Sequence, residues 1–552
     1  MNDFGSKIYD AAKKAVKEVY DLEPAEGQLI IETPQDTKLG DYSTSIAMKL
    51  SRTLRRNPME IAEPLTAKLA ELLPECESIT VARPGFINFK LKQSALAAVI
   101  NDVIAAGDDY GKNESGKGKR LLLEWVSANP TGDLHCGHAR NAAWGDCICR
   151  LMEASGWDVL REFYVNDAGN QIVKLGESLT ARYFEYFGKE YPLPEDGYHA
   201  DDIKEIAAQL AKEEGDKWLT ADPKERLAYF MDYGKKKELE KIDRDLKTYR
   251  VTMQSWMHET FFYEDNCKRI NACLDRMADM GLTYEKDGAL WFKSTDYGDE
   301  KDRVLRKSDG TFSYLTPDIA NHVYKVERGY PLLVDLWGAD HHSYVIRMQN
   351  ALTALGYPKG TLEVDLIQMV RMVEDGKEVK MSKRTGNAIT LRELCEDIGV
   401  DAARWFFVSK DVATHMDLDL KLARSKDNNN PVYYAQYAYS RMCSILRNPQ
   451  IPEFKSVDVY ERLTDEKEMQ MLKLISEFPK EVAADALNRK PNKMTEYIIS
   501  LVKVFHSYYN STKVNNPDDP ELTNQRLGLI KATMITLKNA LQLIGVSAPE
   551  TM

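Results

Sequence analysis

The sequence predicts a multidomain α/β protein with an α+β N-terminal domain, a Rossmann-like core interrupted by a helical insertion, and an all-α C-terminal domain. Its 552 residues exceed what one hydrophobic core usually holds, so several domains are expected. Short apolar runs typical of buried strands lie on both sides of a long, charged interval with helical periodicity. After about residue 425 the helical pattern is almost uninterrupted.

Composition excludes several classes of protein. Hydrophobic residues make up 43% and charged residues 29%, as in an ordinary globular protein. A net charge of −12 argues against a uniformly basic nucleic-acid coat, although local patches such as Lys49, Arg52, Arg55 and Arg56 could still bind phosphate or simply be solvated. No apolar stretch is long enough for a membrane helix, and the N-terminus lacks the pattern of a signal peptide. The eight scattered cysteines suggest a reducing cytoplasm rather than a disulfide framework.

The first domain is expected at residues 1–112, where helix-like and strand-like segments alternate. It ends at the flexible run "GKNESGKGK". The next segment, residues 119–165, has a β-loop-α-β pattern: the apolar run "KRLLLEWV", a Pro- and Gly-containing loop, a helix that stops near Gly156, and the run "DVLREFYV".

A mostly helical insertion is expected at about 176–280, and strands then return in "YPLLVDLWG" and in "LEVDLIQMVRMV", which we interpret as one strand each. Two βα halves around an insertion predict a Rossmann-like domain at residues 113–390, with its ligand at the carboxyl ends of the strands. A connecting stem at 391–425 and a helical domain at 426–552 complete the expected order.

The loop sequence "EWVSANPTGDLHCGHARN" has two readings. His135, Cys136 and His138 could be zinc ligands, but no further ligands follow at the spacings of a structural zinc site. Alternatively, the loop joins a strand to a helix N-terminus, where free N–H groups favour anions and Gly137 permits close approach of a phosphate. The GxxxxGK[ST] and GxGxxG phosphate loops are absent, so this is not an ordinary P-loop or dinucleotide site.

A second polar loop, "KEVKMSKRTGN", follows the last strand of the second half. Its lysines could clamp a polyphosphate while charge develops during nucleotidyl transfer. Considered alone, it would more simply be an exposed basic loop.

Together the two loops resemble a known pair of motifs. "HCGH" resembles the HIGH motif and "KMSKR" the KMSKS motif of class I aminoacyl-tRNA synthetases. Within that class, the chain is similar to the arginyl-tRNA synthetase family in "SANPTGDLHCGHARN", "FYVNDAGNQI", "YLTPDIANH" and "WGADHH". Likewise "LGDYSTSIAMKLSR" and "RPGFINFKL" resemble its additional N-terminal domain, and "NPVYYAQYAYSR" and "FHSYYNSTKV" its anticodon-binding domain. The resemblance covers nearly the whole chain.

Four positions depart from the usual motifs. Cys136 stands where Val or Ile is usual and Asp133 where Pro is common, and neither supplies a catalytic donor. Arg384 replaces the last Ser of the general KMSKS motif, as is usual in arginyl enzymes. Thr551 stands where Arg is frequent, which leaves open whether the tail contacts the anticodon.

The resemblance implies a class I synthetase core that joins L-arginine to its tRNA in two steps. Arginine first reacts with Mg²⁺-bound ATP to form arginyl-adenylate, and the arginyl group then moves to the terminal adenosine of the tRNA. Such chemistry depends on positioning and on stabilising negative charge at phosphorus. Its implied catalytic residues are His135, His138, Lys380 and Lys383, and Gly137, Met381 and Ser382 would join them in binding ATP. No structural metal is expected.

Arginine binding requires carboxylates for a buried guanidinium. The resemblance assigns this role to Glu124 and Asp318, with Tyr314 beside them. Tyr314 and Asp318 are four residues apart and would share a face if the segment is helical. Ser127 and Asn129, with His342 as a further candidate, would bind the α-amino and carboxylate groups. Asp318 could instead be a helix-capping carboxylate, since Pro317 precedes it.

Both ends of the chain are expected to contact tRNA. The resemblance implies that Phe86 stacks on a base and that Asn88 binds a base edge at the tRNA corner. The four tyrosines Tyr433, Tyr434, Tyr437 and Tyr439 match the anticodon-binding face. Four tyrosines at this spacing cannot share one helical face, so one is expected in the core.

The insertion would be structural or tRNA-facing rather than an editing domain. No editing is needed, because bound lysine would leave carboxylates of the arginine site unpaired and is rejected at that site. The family also implies a monomer that needs tRNA to activate arginine.

Two other functions fit part of the pattern. A small-molecule adenylyltransferase with an HxGH loop would be much shorter and would not need the flanking domains. A non-catalytic tRNA-binding paralogue would have no chemical reason to keep both histidines and both lysines.

Overall fold

The computed structural model describes residues 4–25, 27–34, 39–379 and 388–552. The described residues contain one five-stranded parallel sheet and three smaller sheets. None of the helices in this part of the chain is long and apolar enough to span a membrane.

The N-terminal domain is α+β, as expected. Its elements are α1 (Phe4–Tyr20), β1 (Ile31–Glu32), β2 (Tyr42–Thr44), α2 (Ile46–Leu54), α3 (Pro58–Leu72), β3 (Cys76–Ala82), β4 (Phe86–Leu91), α4 (Gln93–Ala97) and α5 (Val99–Ala106). The strands pair antiparallel in the order β1-β2-β4-β3. Alternation along β4 places the fully buried Ile87 and Phe89 on one face and Phe86 and Asn88 on the other.

The central part of the chain forms the predicted Rossmann-like core. Its elements are β5 (Arg120–Glu124), α6 (Cys136–Ala154), β6 (Asp158–Val165), α7 (Asn170–Tyr186), α8 (Asp201–Glu214), α9 (Pro223–Thr248), β7 (Ser255–His258), α10 (Thr260–Asp279), β8 (Thr283–Lys286), β9 (Ala289–Phe292), β10 (Arg303–Arg306), α11 (Leu315–Glu327), β11 (Leu332–Gly338), α12 (His342–Ala354), β12 (Leu362–Ile367), β13 (Val370–Glu374) and β14 (Lys377–Glu378). The main sheet is parallel in the order β12-β11-β5-β6-β7.

The order of the strands locates the ligand crevice. β5 lies between β6, which follows it in the chain, and β11 from the second half. In an open parallel sheet, ligands bind outside the carboxyl ends of the strands where the order reverses in this way. The loop with the two histidines leaves β5 at that point.

The helical insertion differs from the expected interval of 176–280. Its helices begin at Asn170 and end at Thr248, and they enclose a small core of their own that includes Leu175, Tyr183 and Phe230. The next segment, β7, is an edge strand of the main sheet that pairs with β6. All four of its residues are half-buried, as is usual at the edge of a sheet, and "SWMH" is not an apolar run of the kind that identifies the inner strands.

The segment "LEVDLIQMVRMV" also differs from the expected single strand. It forms β12 of the main sheet and β13 of a second sheet, with a break at Gln368 and Met369. Met369 is 75% exposed, and the Gln368 carbonyl accepts a hydrogen bond from Arg140 Nη1 at 2.8 Å. Apolar residues on both sides of the break concealed it in the sequence.

The C-terminal domain is helical, as expected, and the stem before it contains short helices and one strand. Their elements are α13 (Leu391–Ile398), α14 (Val400–Val408), β15 (Met416–Asp419), α15 (Leu420–Arg424), α16 (Pro431–Leu446), α17 (Glu466–Asn488), α18 (Pro491–Ser511) and α19 (Pro520–Leu543). β15 pairs in parallel with β13. Helices α14 and α17 pack against α6, which is therefore buried between the sheet and the helical domain.

A buried ion pair fixes α6 in this position. Arg404 of α14 and Asp146 of α6 are both fully buried, and Arg404 Nη2 donates to Asp146 Oδ2 at 2.5 Å. The same guanidinium donates to the carbonyls of Tyr249 and Ile544, so insertion, stem and C-terminal helix meet at one side chain. On the sheet side Gly145 allows close contact, because a Cβ there would lie 2.5 Å from the Trp125 ring.

Candidate active site

Helix α6 begins at the crevice between β5 and β11, and Asn141 holds it there. The Asn141 side chain accepts a hydrogen bond from Val126 N at 2.8 Å and donates to the Leu336 carbonyl at 3.1 Å. Val126 and Ser127 both have left-handed backbones, with φ of 67° and 41°. Such strain in non-glycine residues is concentrated at functional sites. The turn directs Ser127 Oγ back to Glu124 Oε1, 3.1 Å away.

The two histidines form a capping box at the start of α6. His135 Nδ1 accepts from Gly137 N at 3.1 Å, and His138 Nδ1 accepts from His135 N at 3.2 Å. The rings are stacked, with centroids 3.8 Å apart and planes inclined by 23°. Both Nδ1 atoms are therefore occupied by backbone donors.

This arrangement determines the protonation of both rings. Burial lowers the pKa of His135, and burial together with the neighbouring His135 lowers the pKa of His138 to about 3. Both rings are neutral at physiological pH, and since each Nδ1 accepts a hydrogen bond, each proton lies on Nε2. The site thus presents two Nε2–H donors beside the helix N-terminus, where anions are favoured.

A second segment of chain lies directly against His135. His135 and Thr390 form an isolated antiparallel bridge, and Leu391 N donates to the Leu134 carbonyl at 2.7 Å. Thr390 caps α13 by accepting from Glu393 N at 3.1 Å. The expected ATP-binding residues Lys380, Met381, Ser382 and Lys383 lie outside the described residues.

Glu124 is not the free carboxylate that the resemblance implies. Its Oε2 lies 2.6 Å from Lys325 Nζ, and the Lys325 side chain is fully buried. Lys325 Nζ is also 3.1 Å from Asp335 Oδ1, while Asp335 Oδ2 is 2.8 Å from His322 Nε2. His322 Nδ1 lies 2.7 Å from the Asp318 carbonyl, so the ring bridges Asp335 and the backbone of Asp318.

Asp318 lies in the first turn of α11, above this network. Its Oδ2 accepts a hydrogen bond from Tyr344 Oη at 2.5 Å, and burial raises the pKa of its carboxyl group. Tyr314 does not share its face as expected. It precedes the helix as its N-cap residue and is 89% exposed.

Three residues missed in the sequence complete an acidic pocket: Glu259, Tyr164 and Tyr344. Glu259 follows β7, and burial together with the charges of Asp318 and Asp167 raises its pKa to about 7. Tyr164 is largely buried, its hydroxyl has no hydrogen-bond partner among the described residues, and burial and the charge of Glu259 raise its pKa. Glu259 was missed because "SWMHET" was taken as part of the helical insertion.

Neither Asp318 nor Glu259 has a lysine or arginine within ion-pair distance in the described part of the chain. Burial raises the pKa of both carboxyl groups, and the charge of Asp318 contributes to the raised pKa of Glu259. Such a pocket can accept a buried cation.

The remaining candidates for amino-acid binding lie in the loop after β5 and at the start of α12. Ser127 Oγ accepts from Tyr164 N at 3.1 Å, so it lies between Glu124 and the pocket. Asn129 is exposed on the loop before α6, and His342 is exposed at the first residue of α12. No group of three or more His, Cys, Asp or Glu side chains in residues 4–25, 27–34, 39–379 and 388–552 is arranged to hold a metal ion.

The two expected tRNA surfaces differ in accessibility. Phe86 is partly exposed at the start of β4, but Asn88 is only 6% exposed, which limits the base-edge contact expected of it. On α16 the Tyr433 and Tyr437 rings are stacked 6.2 Å apart, and Tyr434 lies 4.5 Å from His506. The fourth tyrosine, Tyr439, is buried, as expected for one of the four.

Comparisons with known proteins agree over nearly the whole chain. Three family models match: the arginyl tRNA synthetase N-terminal domain at residues 6–91, the catalytic domain of class I tRNA synthetases (R) at 99–421, and the DALR anticodon-binding domain at 435–552. The arginine–tRNA ligase of Bacillus subtilis is 49% identical over 526 residues, covering 95% of this chain and 94% of that protein. That of Shouchella clausii is 50% identical over 527 residues, with the same coverage. The solved arginyl-tRNA synthetase of Thermus thermophilus has a TM-score of 0.77 at 21% identity, covering 99% of this chain and all of that one.

Proposed function

Because the chain belongs to the arginyl-tRNA synthetase family, we propose which of its side chains carry out each part of the reaction. The protein is an arginine–tRNA ligase that uses ATP to attach arginine to its tRNA through an adenylate. The observation that carries the residue assignment is the acidic pocket of Asp318 and Glu259. Glu259 follows β7 and the histidine-capped α6 follows the loop after β5, so both come after the carboxyl ends of strands of the parallel sheet.

The guanidinium of arginine binds between Asp318 and Glu259. These carboxylates have raised pKa values and no basic partner among the described side chains, so a cation relieves their repulsion. Tyr344 holds Asp318 in place, and the hydroxyl of Tyr164 is free to pair with the ligand. We assign Glu124 to the pocket wall, since Lys325 already neutralises it, and Tyr314 to a contact made only after ligand binding.

Lysine is rejected by the same pocket. A guanidinium offers five N–H donors in a planar fork, whereas an ammonium offers three donors on one atom. Lysine would leave buried carboxylate oxygens without partners, and sites of this kind discriminate by factors of about 10⁴ or more without editing. The helical insertion is therefore not required as an editing domain.

Arginine's carboxylate, oriented by Ser127, Asn129 and His342, attacks the α-phosphate of ATP, and pyrophosphate leaves. His135 and His138 donate their Nε2–H groups to phosphate oxygens, where negative charge develops. They donate hydrogen bonds as neutral rings and do not act as general acids, because the lowered pKa of each ring leaves no imidazolium proton to transfer at pH 7. Gly137 permits the close approach of the phosphates.

Two further lysines complete the ATP site by resemblance. Lys380 and Lys383, with Met381 and Ser382 beside them, would clamp the β- and γ-phosphates, and Mg²⁺ would enter as part of the Mg–ATP substrate. We expect Lys383→Ala to lower the rate of adenylate formation far more than it weakens arginine binding. Equal losses in both quantities would contradict the assignment.

The two end domains bind tRNA. The stacked face of Tyr433, Tyr434 and Tyr437 on α16 offers aromatic platforms for unstacked anticodon bases, and Arg441 lies 5.2 Å from the Tyr437 ring centroid. Phe86 offers a similar platform at the tRNA corner, with Asn88 on the same face of β4.

The proposed domain limits are residues 1–112, 113–390, 391–425 and 426–552. All eight cysteines are unpaired, which supports a cytoplasmic location, and we expect a monomer.

Amino-acid-dependent exchange of pyrophosphate into ATP tests these assignments. All standard amino acids would be assayed with and without total tRNA. We expect exchange with arginine alone and only when tRNA is present. Exchange with arginine in the absence of tRNA would overturn the expected dependence on tRNA but would leave the assignment of the arginine-binding carboxylates unchanged. Exchange with lysine comparable to that with arginine would overturn the assignment of Asp318 and Glu259.

A further inference from the structure

Helix α9 of the insertion carries two oppositely charged side chains one turn apart, and each pairs with a different segment of the ATP site. Lys241 Nζ lies 3.3 Å from Asp133 Oδ1 in the loop before α6. Asp245 accepts from Arg392 Nη2 of α13, at 3.1 Å through Oδ1 and 2.9 Å through Oδ2. Residues at i and i+4 lie on the same face of a helix, so both contacts are made by one face of α9.

The two pairs flank the contact that joins the halves of the site. Asp133 comes two residues before His135, and Arg392 comes two residues after Thr390. His135 and Thr390 are the two residues of the isolated backbone bridge. Lys241 thus contacts the segment that contains His135, and Asp245 contacts the segment that contains Thr390.

The charges on α9 are fixed in place rather than free in solvent. The Lys241 side chain is 12% exposed and also contacts Asp202 Oδ2 at 2.6 Å and Glu238 Oε2 at 2.7 Å. Glu238 is fully buried, and burial raises its pKa to about 7. Asp245 is 7% exposed. Each pair therefore joins a side chain buried on α9 to a more exposed partner, and such half-buried pairs are screened less than fully exposed ones.

We propose that Lys241 and Asp245 are positioning residues for ATP: they clamp the His135 and Thr390 segments together and thereby keep the Nε2–H donors of the capping box aimed at the phosphates. This gives the helical insertion a role in nucleotide binding. The inference rests on the proposed function of His135 and His138, and neither Lys241 nor Asp245 touches the substrate.

The choice of variants separates positioning from folding. Lys241→Met would leave the buried Glu238 without its cation and could unfold the insertion. Asp133→Asn removes only the contact to the loop, because Lys241 keeps Asp202 and Glu238. Arg392→Gln removes the other contact at a side chain that is 45% exposed. Lys247→Met, which breaks an exposed pair with Asp243 on the same helix, is the control.

Each variant would be measured for the KM of ATP and of arginine in pyrophosphate exchange, for the Kd of ATP by fluorescence titration, and for urea unfolding. We expect Asp133→Asn and Arg392→Gln each to weaken ATP binding about three- to tenfold, the range typical of coupled side chains. The KM of arginine and the unfolding midpoint would stay as in the unsubstituted protein. Asp133→Glu, which keeps the charge, would restore most of the affinity, and Lys247→Met would change nothing.

Several results would overturn the proposal. An effect of Asp133→Asn without one of Arg392→Gln would mean that Asp133 acts locally. Unchanged ATP affinity in both variants, or a lowered unfolding midpoint with unchanged affinity, would make the pairs structural only. If the unsubstituted protein failed to exchange but bound ATP, the proposed function would fail, while the Kd series would still decide the role of α9.

Discussion

The ammonium group of Lys325 lies 2.6 Å from Glu124 Oε2 and 3.1 Å from Asp335 Oδ1, with none of its side chain exposed. Burial and the two neighbouring carboxylates act on it in opposite directions, and the attraction of the carboxylates prevails, so the pKa of Lys325 is raised. Lys325 is therefore an internal cation that pairs with Glu124 and Asp335, whereas Asp318 and Glu259, the carboxylates proposed to bind arginine, have no lysine or arginine partner among the described side chains.

Replacing Lys325 with Met should destabilise the protein strongly. Glu124 and Asp335 would remain buried without the ammonium group, and Asp335 would keep only its contact with His322 among the described side chains. Loss of one partner from a buried pair costs about 3–5 kcal/mol of unfolding free energy. Urea unfolding followed by circular dichroism measures this loss. Lys247→Met serves as the control, and equal losses in both variants would contradict the role of Lys325.

The capping box predicts that two substitutions of His138 have opposite effects. The amide oxygen of Asn can take the place of Nδ1 as acceptor from His135 N, whereas the amide nitrogen of Gln can take the place of Nε2 as donor. His138→Asn should keep α6 capped but lose the donor to phosphate, which costs about 10²- to 10³-fold in kcat by analogy with other lost transition-state donors. His138→Gln should keep part of the rate and lose part of the cap. Exchange kinetics and thermal unfolding together distinguish them, and identical kinetic losses would refute the assignment of Nε2.

Tyr344 and Asp318 provide a graded test of arginine recognition. Tyr344→Phe removes the hydrogen bond that orients Asp318, so the KM of arginine should rise about tenfold, the equivalent of one hydrogen bond to a charged group. Asp318→Asn removes the charge itself and should raise the KM far more. The KM of ATP should stay within about twofold in both variants, since neither side chain contacts the histidine cap. A parallel rise in both KM values would point to misfolding of the pocket instead.

Most of the architecture could be predicted because the spacing of hydrophobic residues and the positions of apolar runs indicate where buried helices and strands lie. β5, α6 and β6 lie where their patterns indicated, since these elements are buried and strongly periodic. β7 was missed for the opposite reason, because an edge strand of four half-buried residues has no distinctive pattern. The break at Gln368 and Met369 was missed because strands on both sides of it are apolar.

The site was only partly predictable. His135 and His138 could be recognised from their motif, but the tautomer that makes them donors depends on which backbone N–H each ring meets. Glu124 was expected to bind arginine, yet nothing in the sequence indicates that it pairs with Lys325, about two hundred residues away in the chain. Glu259 carries no local signal, and only the return of β7 to the sheet brings it to Asp318. Pairs of charged residues that are distant in the chain cannot be identified from a single sequence.

The raised pKa of Glu259 predicts that arginine binding depends on pH. Burial, then the charges of Asp318 and Asp167, raise the pKa of its carboxyl group to about 7, so the group is largely protonated below that pH. A guanidinium binds the ionised form, and affinity should therefore fall as pH drops through 7 and level off above 8. Between pH 8 and pH 6 the loss should be about tenfold, following the ionised fraction.

Isothermal titration of arginine into the protein with ATP and tRNA absent measures this dependence directly. At pH 7 binding should release part of one proton, which changes the heat observed in buffers with different ionisation enthalpies. Glu259→Gln should bind arginine more weakly at pH 8 and lose most of the pH dependence, because the titrating group is gone. If Glu259→Gln kept the same slope between pH 6 and pH 8, another group would control the affinity, and Asp318, whose pKa is also raised by burial, would be the next carboxyl to substitute.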